Sequence, residues 1–163
     1  RLAEALHRAR VDLLLIETFP HVGEALAAVN AARETGLPVW VSFTAGPSAN
    51  LLDPIALRDG AQAAVEKGAN AVLVNCIPAV ETRRFVRELA ELGVPFGAYA
   101  NAGTDDEGIG WGPTADGPQR YADLAAEWIA EGATIIGGCC GTGPAHIEEL
   151  RRRFGTTSVQ TTS

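Results

Sequence analysis

No stretch of this sequence is apolar for long enough to cross a bilayer. Nothing at its start has the charged-then-apolar pattern of a secretion signal. Basic residues are also few: 13 Lys and Arg stand against 20 Asp and Glu, a net charge of −7. That balance excludes a surface built to neutralise phosphates, so neither a nucleic acid nor a membrane is expected as partner. The one basic cluster, Arg151-Arg152-Arg153, falls where a last helix would end, and there it complements the helix dipole. Cysteine is scarce and odd in number, three in 163 residues, which argues against a disulfide framework. Few cysteines and no secretion-signal pattern lead to the expectation of the reducing cytoplasm. Methionine is missing altogether. The chain opens on Arg1 in what reads as the middle of a helix, so it is expected to be a piece of a longer protein.

What is present is ordinary for a globular protein: 47% hydrophobic and 20% charged residues, in a length sufficient for one domain with a real core. Strand-like and helix-like segments alternate with a period near thirty residues. Strands are expected over residues 11–17, 39–44, 71–76, 95–100 and 133–138. Helices are expected over 2–9, 22–34, 53–67, 79–92 and 119–131, with a last one opening at Pro144. Asp53-Pro54 is a good cap with proline in the first turn. Residues 155–163, rich in Thr and Ser, carry no pattern and read as a disordered tail.

Continuous apolar strands between amphipathic helices indicate an α/β fold with a parallel sheet. An open doubly wound sheet and a segment of a (β/α)8 barrel both fit. No Gly-x-Gly-x-x-Gly follows an early strand, and the regular period favours the barrel segment. In a barrel the strand C-termini share one rim, and the polar residues fall at those ends: Glu17-Thr18, Ser42 and Thr44, Asn75-Cys76, Asn101, and Cys139-Cys140. Individually, Asn101 could start a turn and Thr44 could cap a loop. Glu17 closes the run Leu13-Leu14-Leu15-Ile16 and must be partnered or face a cleft.

The cysteines carry the sharpest signal. Cys139-Cys140 sits in Gly137-Gly138-Cys139-Cys140-Gly141-Thr142-Gly143, and Cys76 ends Ala71-Val72-Leu73-Val74-Asn75-Cys76. Adjacent side chains on a strand point to opposite faces, but flanking glycines permit a turn that swings both sulfurs to one point. A free cysteine is often only a small buried hydrophobe, and an adjacent pair can close a strained vicinal disulfide. The glycine setting, the pair and the third cysteine together favour a soft metal with three thiolates and one free position, the pattern of a catalytic zinc site.

Val74-Asn75-Cys76 with Gly137-Gly138-Cys139-Cys140-Gly141-Thr142 resembles the zinc signature of the homocysteine S-methyltransferases. Ile16-Glu17-Thr18, Trp40-Val41-Ser42-Phe43 and Tyr99-Ala100-Asn101 resemble strand ends of the same family. The resemblance implies a (β/α)8 barrel of which residues 1–154 are the C-terminal portion, strands four to eight, with the N-terminal strands missing. It implies zinc as cofactor with Cys76, Cys139 and Cys140 as ligands, Glu17 near the homocysteine amino group, and Asn75 beside the metal in the substrate site. The implied reaction is methyl transfer from a small donor (S-methylmethionine, S-adenosylmethionine, betaine or methyltetrahydrofolate) to homocysteine, giving methionine. The family's N-terminal glycine-rich segment with its aspartate is absent, and Ala100 stands where proline is common. Trp111 and Asp105-Asp106-Glu107 are expected near the open mouth, Trp111 chiefly as a packing residue. The competing expectation is a truncated, non-catalytic zinc or thiol-redox module.

Overall fold

The computed structural model describes residues 1–112 and 115–155. After a short helix α1 (Leu2–Arg8), strands and helices alternate: β1 (Leu14–Phe19), α2 (Val22–Arg33), β2 (Val39–Phe43), α3 (Pro54–Glu66), β3 (Ala71–Pro78) and α4 (Ala79–Leu89). Then follow β4 (Phe96–Asn101), α5 (Gly117–Ala130), β5 (Ile135–Gly138) and α6 (Pro144–Phe154). The five strands form one sheet in the order β1-β2-β3-β4-β5, every pair parallel. Each crossover therefore steps to the adjacent position, and the strand order never reverses.

The sheet has two unlike faces, as strand alternation requires. Val39, Val41, Phe43, Val72, Val74, Ala98 and Ala100 are fully buried against the helices. The helices meet them with small, branched and aromatic residues: Ala25 and Val29 of α2, Leu57, Ala61 and Ala64 of α3, Phe85 and Leu89 of α4. On the opposite face Leu15, Trp40, Leu73, Tyr99 and Ile135 line an open depression of about 370 Å³. Leu15 remains 40% exposed there.

Local chemistry sets the element ends. Asp53 caps α3 by accepting the Ala56 N–H at 2.8 Å, with Pro54 in the first turn. The helix expected over 79–92 stops at Leu89, tightens into a 3-10 turn at Ala90–Leu92, and ends at Gly93 with φ +69°. β1 begins at Leu14 rather than at residue 11, because its ladder starts with the Leu14 N–H to the Pro38 carbonyl. β3 runs two residues past Cys76. β5 starts at Ile135 and closes on β4 across Gly97, where a Cβ would lie 1.8 Å from the Ile135 carbonyl oxygen. Among the described residues no helix is long and apolar enough to cross a membrane. Residues 156–163 of the expected tail lie outside the described residues.

Candidate metal centre

Two irregularities in the sheet shape the rim. The β1–β2 register shifts between Ile16 and Phe19, and the β3–β4 register shifts between Asn75 and Pro78. Each shift holds one non-glycine residue in left-handed backbone: Thr18 at φ +66° and Cys76 at φ +54°. That conformation costs roughly 1–2 kcal/mol per residue. Alternation along β3 would aim Cys76 toward the helices, on the side of Val72 and Val74. The bulge re-aims it to the rim, a known use of bulges beside functional sites. Asn101 steadies the turned backbone by donating from Nδ2 to the Cys76 carbonyl at 3.2 Å.

Cys139 and Cys140 sit in a turn that follows β5. The Cys139 carbonyl accepts the Thr142 N–H at 3.1 Å and its hydroxyl at 2.7 Å, while Gly141 takes φ +77° at the third turn position. Two further bonds tie the turn to the end of β4: Cys139 N–H to the Ala100 carbonyl, and Ala102 N–H to the Cys140 carbonyl, each 2.9 Å. The result gathers all three sulfurs. Cys76 Sγ lies 3.4 Å from Cys140 Sγ, Cys139 Sγ lies 3.8 Å from Cys140 Sγ, and all three fall within 4.8 Å of one another. Zinc–sulfur bonds of about 2.3 Å at tetrahedral angles separate sulfurs by about 3.8 Å, so the donor set fits a metal of that size. All three are free thiols, Cys140 exposed and the others half-buried. Burial, then hydrogen bonding to Cys139 and Cys140, pushes the Cys76 thiol up to about 12. Without metal it is therefore protonated at neutral pH.

The remaining rim residues fall into two groups. Asn75 is fully buried: its Oδ1 accepts from Ser42 Oγ at 2.8 Å and its Nδ2 donates to Thr18 Oγ1 at 2.7 Å. One amide thus laces β1, β2 and β3 together immediately before Cys76. Glu17 is exposed on the open face and accepts from the Tyr99 hydroxyl at 3.2 Å through Oε2. Burial chiefly, with the Glu17 charge adding and a Ser42 hydrogen bond opposing, raises the Tyr99 pKa well above the ordinary phenol value. Tyr99 stays a neutral donor. Sequence reading had no means to pair Glu17 with Tyr99, 82 residues apart, although both share a face by alternation. Thr44 serves its turn, accepting the Gly46 N–H at 3.0 Å, and Asn101 also accepts the Gly103 N–H at 2.8 Å. Trp111 is half-exposed, donates from Nε1 to the Gly103 carbonyl at 2.7 Å, and lays its ring on Gly141 beside Cys140. Asp105–Glu107 form a 3-10 turn in the same loop.

The sequence matches the family described as homocysteine S-methyltransferase over residues 1–154. Homocysteine S-methyltransferase of Escherichia coli (strain K12) is 36% identical over 156 residues, covering 92% of this chain and 50% of that protein. Homocysteine S-methyltransferase YbgG of Bacillus subtilis (strain 168) is 33% identical over 152 residues, covering 90% and 48%. The crystal structure of the homocysteine methyltransferase MmuM from Escherichia coli, oxidised form, superposes with TM-score 0.72 at 30% identity, over 92% of this chain and 48% of that one. A putative phosphonomutase from Burkholderia cenocepacia J2315 superposes with TM-score 0.69 at 14% identity over 92% and 69%, a likeness of fold alone. The chain spans about half the length of the methyltransferases it matches. With its cysteine rim, its parallel sheet and a match over nearly its whole length, the chain belongs to the homocysteine S-methyltransferase family.

Proposed function

We propose that the protein to which this chain belongs transfers a methyl group from a small donor to the thiol of homocysteine, giving methionine, with zinc held by Cys76, Cys139 and Cys140. The observation that carries this reading is the cluster of three free thiols, mutually within 4.8 Å, at the ends of β3 and β5. We further infer that residues 1–154 are five βα units of a (β/α)8 barrel, with residues 155–163 a tail. The unreversed strand order, the helices on one face and the open apolar face support the barrel.

When bound, zinc would supply a Lewis acid that keeps a substrate thiol, with its pKa near ~8.5 when free, ionised at neutral pH. The thiol proton leaves to solvent. The sulfur attacks the donor's methyl carbon in line, a C–S bond forms, and the donor heteroatom departs with the electrons of the broken bond. Glu17 orients homocysteine through its ammonium group. The Tyr99 hydroxyl holds Oε2 and leaves Oε1 to the substrate. Asn75 serves the substrate site by fixing the rim on which the thiol is received. A cationic donor suits the half-exposed Trp111 ring and the neighbouring Asp105-Asp106-Glu107 turn. Three closely spaced free thiols suit a reducing compartment, and we assign the protein to the cytoplasm.

Incubating the native polypeptide, with any upstream residues its reading frame encodes, with homocysteine and each candidate donor tests the reading. Methionine formation that stops on chelation and returns with zinc is the expected result. Zinc binding without methyl transfer from any donor would instead favour a non-catalytic module. The 3.4 Å approach of Cys76 to Cys140 keeps a thiol-redox role as the second reading, which reversible loss of two thiols in metal-free protein would favour.

A further inference from the structure

His146 stands in the first turn of α6, only 7% exposed, and both of its ring nitrogens are engaged. Nδ1 accepts the Gly143 N–H at 3.1 Å, and Nε2 lies 2.7 Å from the Ile109 carbonyl oxygen. A carbonyl only accepts, so Nε2 carries the proton and the partners select one neutral tautomer. The ring stands edge-on to Tyr121, centroids 5.7 Å apart. Tyr121 in turn bridges the ends of β4 and β5, its hydroxyl lying 3.0 Å from the Ala100 carbonyl and 2.9 Å from the Gly137 carbonyl.

These contacts join two loops. One is the turn that carries Cys139 and Cys140. The other follows β4 and includes Ile109. They meet backbone to backbone: the Ala102 N–H bonds the Cys140 carbonyl at 2.9 Å, and a Cβ on Gly110 would lie 2.1 Å from the Gly141 carbonyl oxygen. At the far side of that contact the link is His146, which grips Gly143 with one nitrogen and Ile109 with the other.

We propose that His146 is a positioning residue for the metal centre, clamping the thiol-bearing turn between α6 and the loop after β4 and so fixing the spacing of the Cys139 and Cys140 sulfurs. The proposal rests on the metal reading above. Its physical basis is preorganisation: a donor set already at metal spacing loses less freedom when the ion binds. Loss of outer partners around a metal site typically costs about 10–100-fold in metal affinity. His146 acts through backbone rather than on a sulfur, so the lower end, about tenfold, is expected.

Three variants of the native polypeptide separate the clamp from an ordinary helix cap. His146→Phe keeps a ring against Tyr121 and removes both hydrogen bonds. His146→Gln places an amide N–H where Nε2 stood and retains the tie to Ile109. His146→Asn places an oxygen near the Nδ1 position and retains the cap to Gly143 alone. Zinc affinity is read by competition with a chromophoric chelator, and thiolate geometry by the charge-transfer bands of the cobalt(II) form. The clamp predicts about tenfold weaker zinc in Phe and Asn, with altered cobalt bands, and affinity close to wild type in Gln. Recovery in Asn but not in Gln would reduce His146 to a helix cap and overturn the proposal, as would wild-type affinity in all three. Should the Phe variant not fold, the Gln and Asn pair decides. Wild-type protein that binds no zinc would instead refute the three-thiol reading, and the clamp with it.

Discussion

Cys76 pairs a strained backbone with a thiol whose burial resists ionisation, and both features make sense if a metal compensates them. In the metal-free protein its pKa of about 12 holds the proton on at neutral pH, so a zinc ion ligated there would have to displace it. Calorimetric titration with zinc in two buffers of different ionisation enthalpy should show release of at least one proton per zinc; none released would contradict ligation by Cys76. Glu17 carries the second residue-scale prediction. If it receives the substrate ammonium, Glu17→Gln should chiefly raise the homocysteine KM, on the order of ten- to a hundredfold for a lost charge-assisted hydrogen bond of ~1.5–3 kcal/mol, and leave zinc bound. An unchanged KM would remove Glu17 from the site. At this scale the convergence of the cysteines was legible in the glycine setting of Cys139-Cys140 and the strand run ending at Cys76, and the exposed place of Glu17 in the apolar run it closes. Tyr99 and His146 were not, since their partners lie 82 and 37 residues away and no local pattern marks such pairs.

At the scale of elements, apolar runs and caps were enough to locate the core of each described strand and α-helix, and the bulges and 3-10 turns were what escaped. Nothing in Asn75-Cys76-Ile77 announces a left-handed cysteine, because the cost is met by tertiary bonds such as that from Asn101. Arg151-Arg152-Arg153 shows a second limit. Arg152 and Arg153 do more than complement a dipole: both bond the largely buried Glu149 of their own helix, and Arg153 reaches Asp123 of α5. Those hydrogen bonds, then the arginine charges, lower the Glu149 pKa to about 2. A carboxylate held below its unfolded value of ~4.3 contributes stability that is complete above that value and is lost as pH falls toward the folded one. The melting temperature should therefore decline from about pH 4.5 to about pH 2 more steeply in the wild type than in Glu149→Gln. Parallel profiles would show that the cluster does not couple to folding.

Among the described residues the chain forms a parallel sheet with one helix-covered face, one open apolar face, and β1 and β5 as its edge strands. Exposed edges template further pairing, and the open face adds apolar surface that water disfavours. The isolated 163-residue chain is therefore expected to self-associate and to lack methyl-transfer activity; a monodisperse, active monomer on sizing chromatography would contradict the barrel-segment reading. The central claim is that three thiols from two strand ends hold one zinc, and it is tested most directly by the zinc content of the purified native polypeptide beside its Cys139→Ser variant. The account predicts one zinc per chain in the wild type and little or none in the variant, because two thiolates hold the ion far less well than three. Full retention of zinc by Cys139→Ser would contradict it.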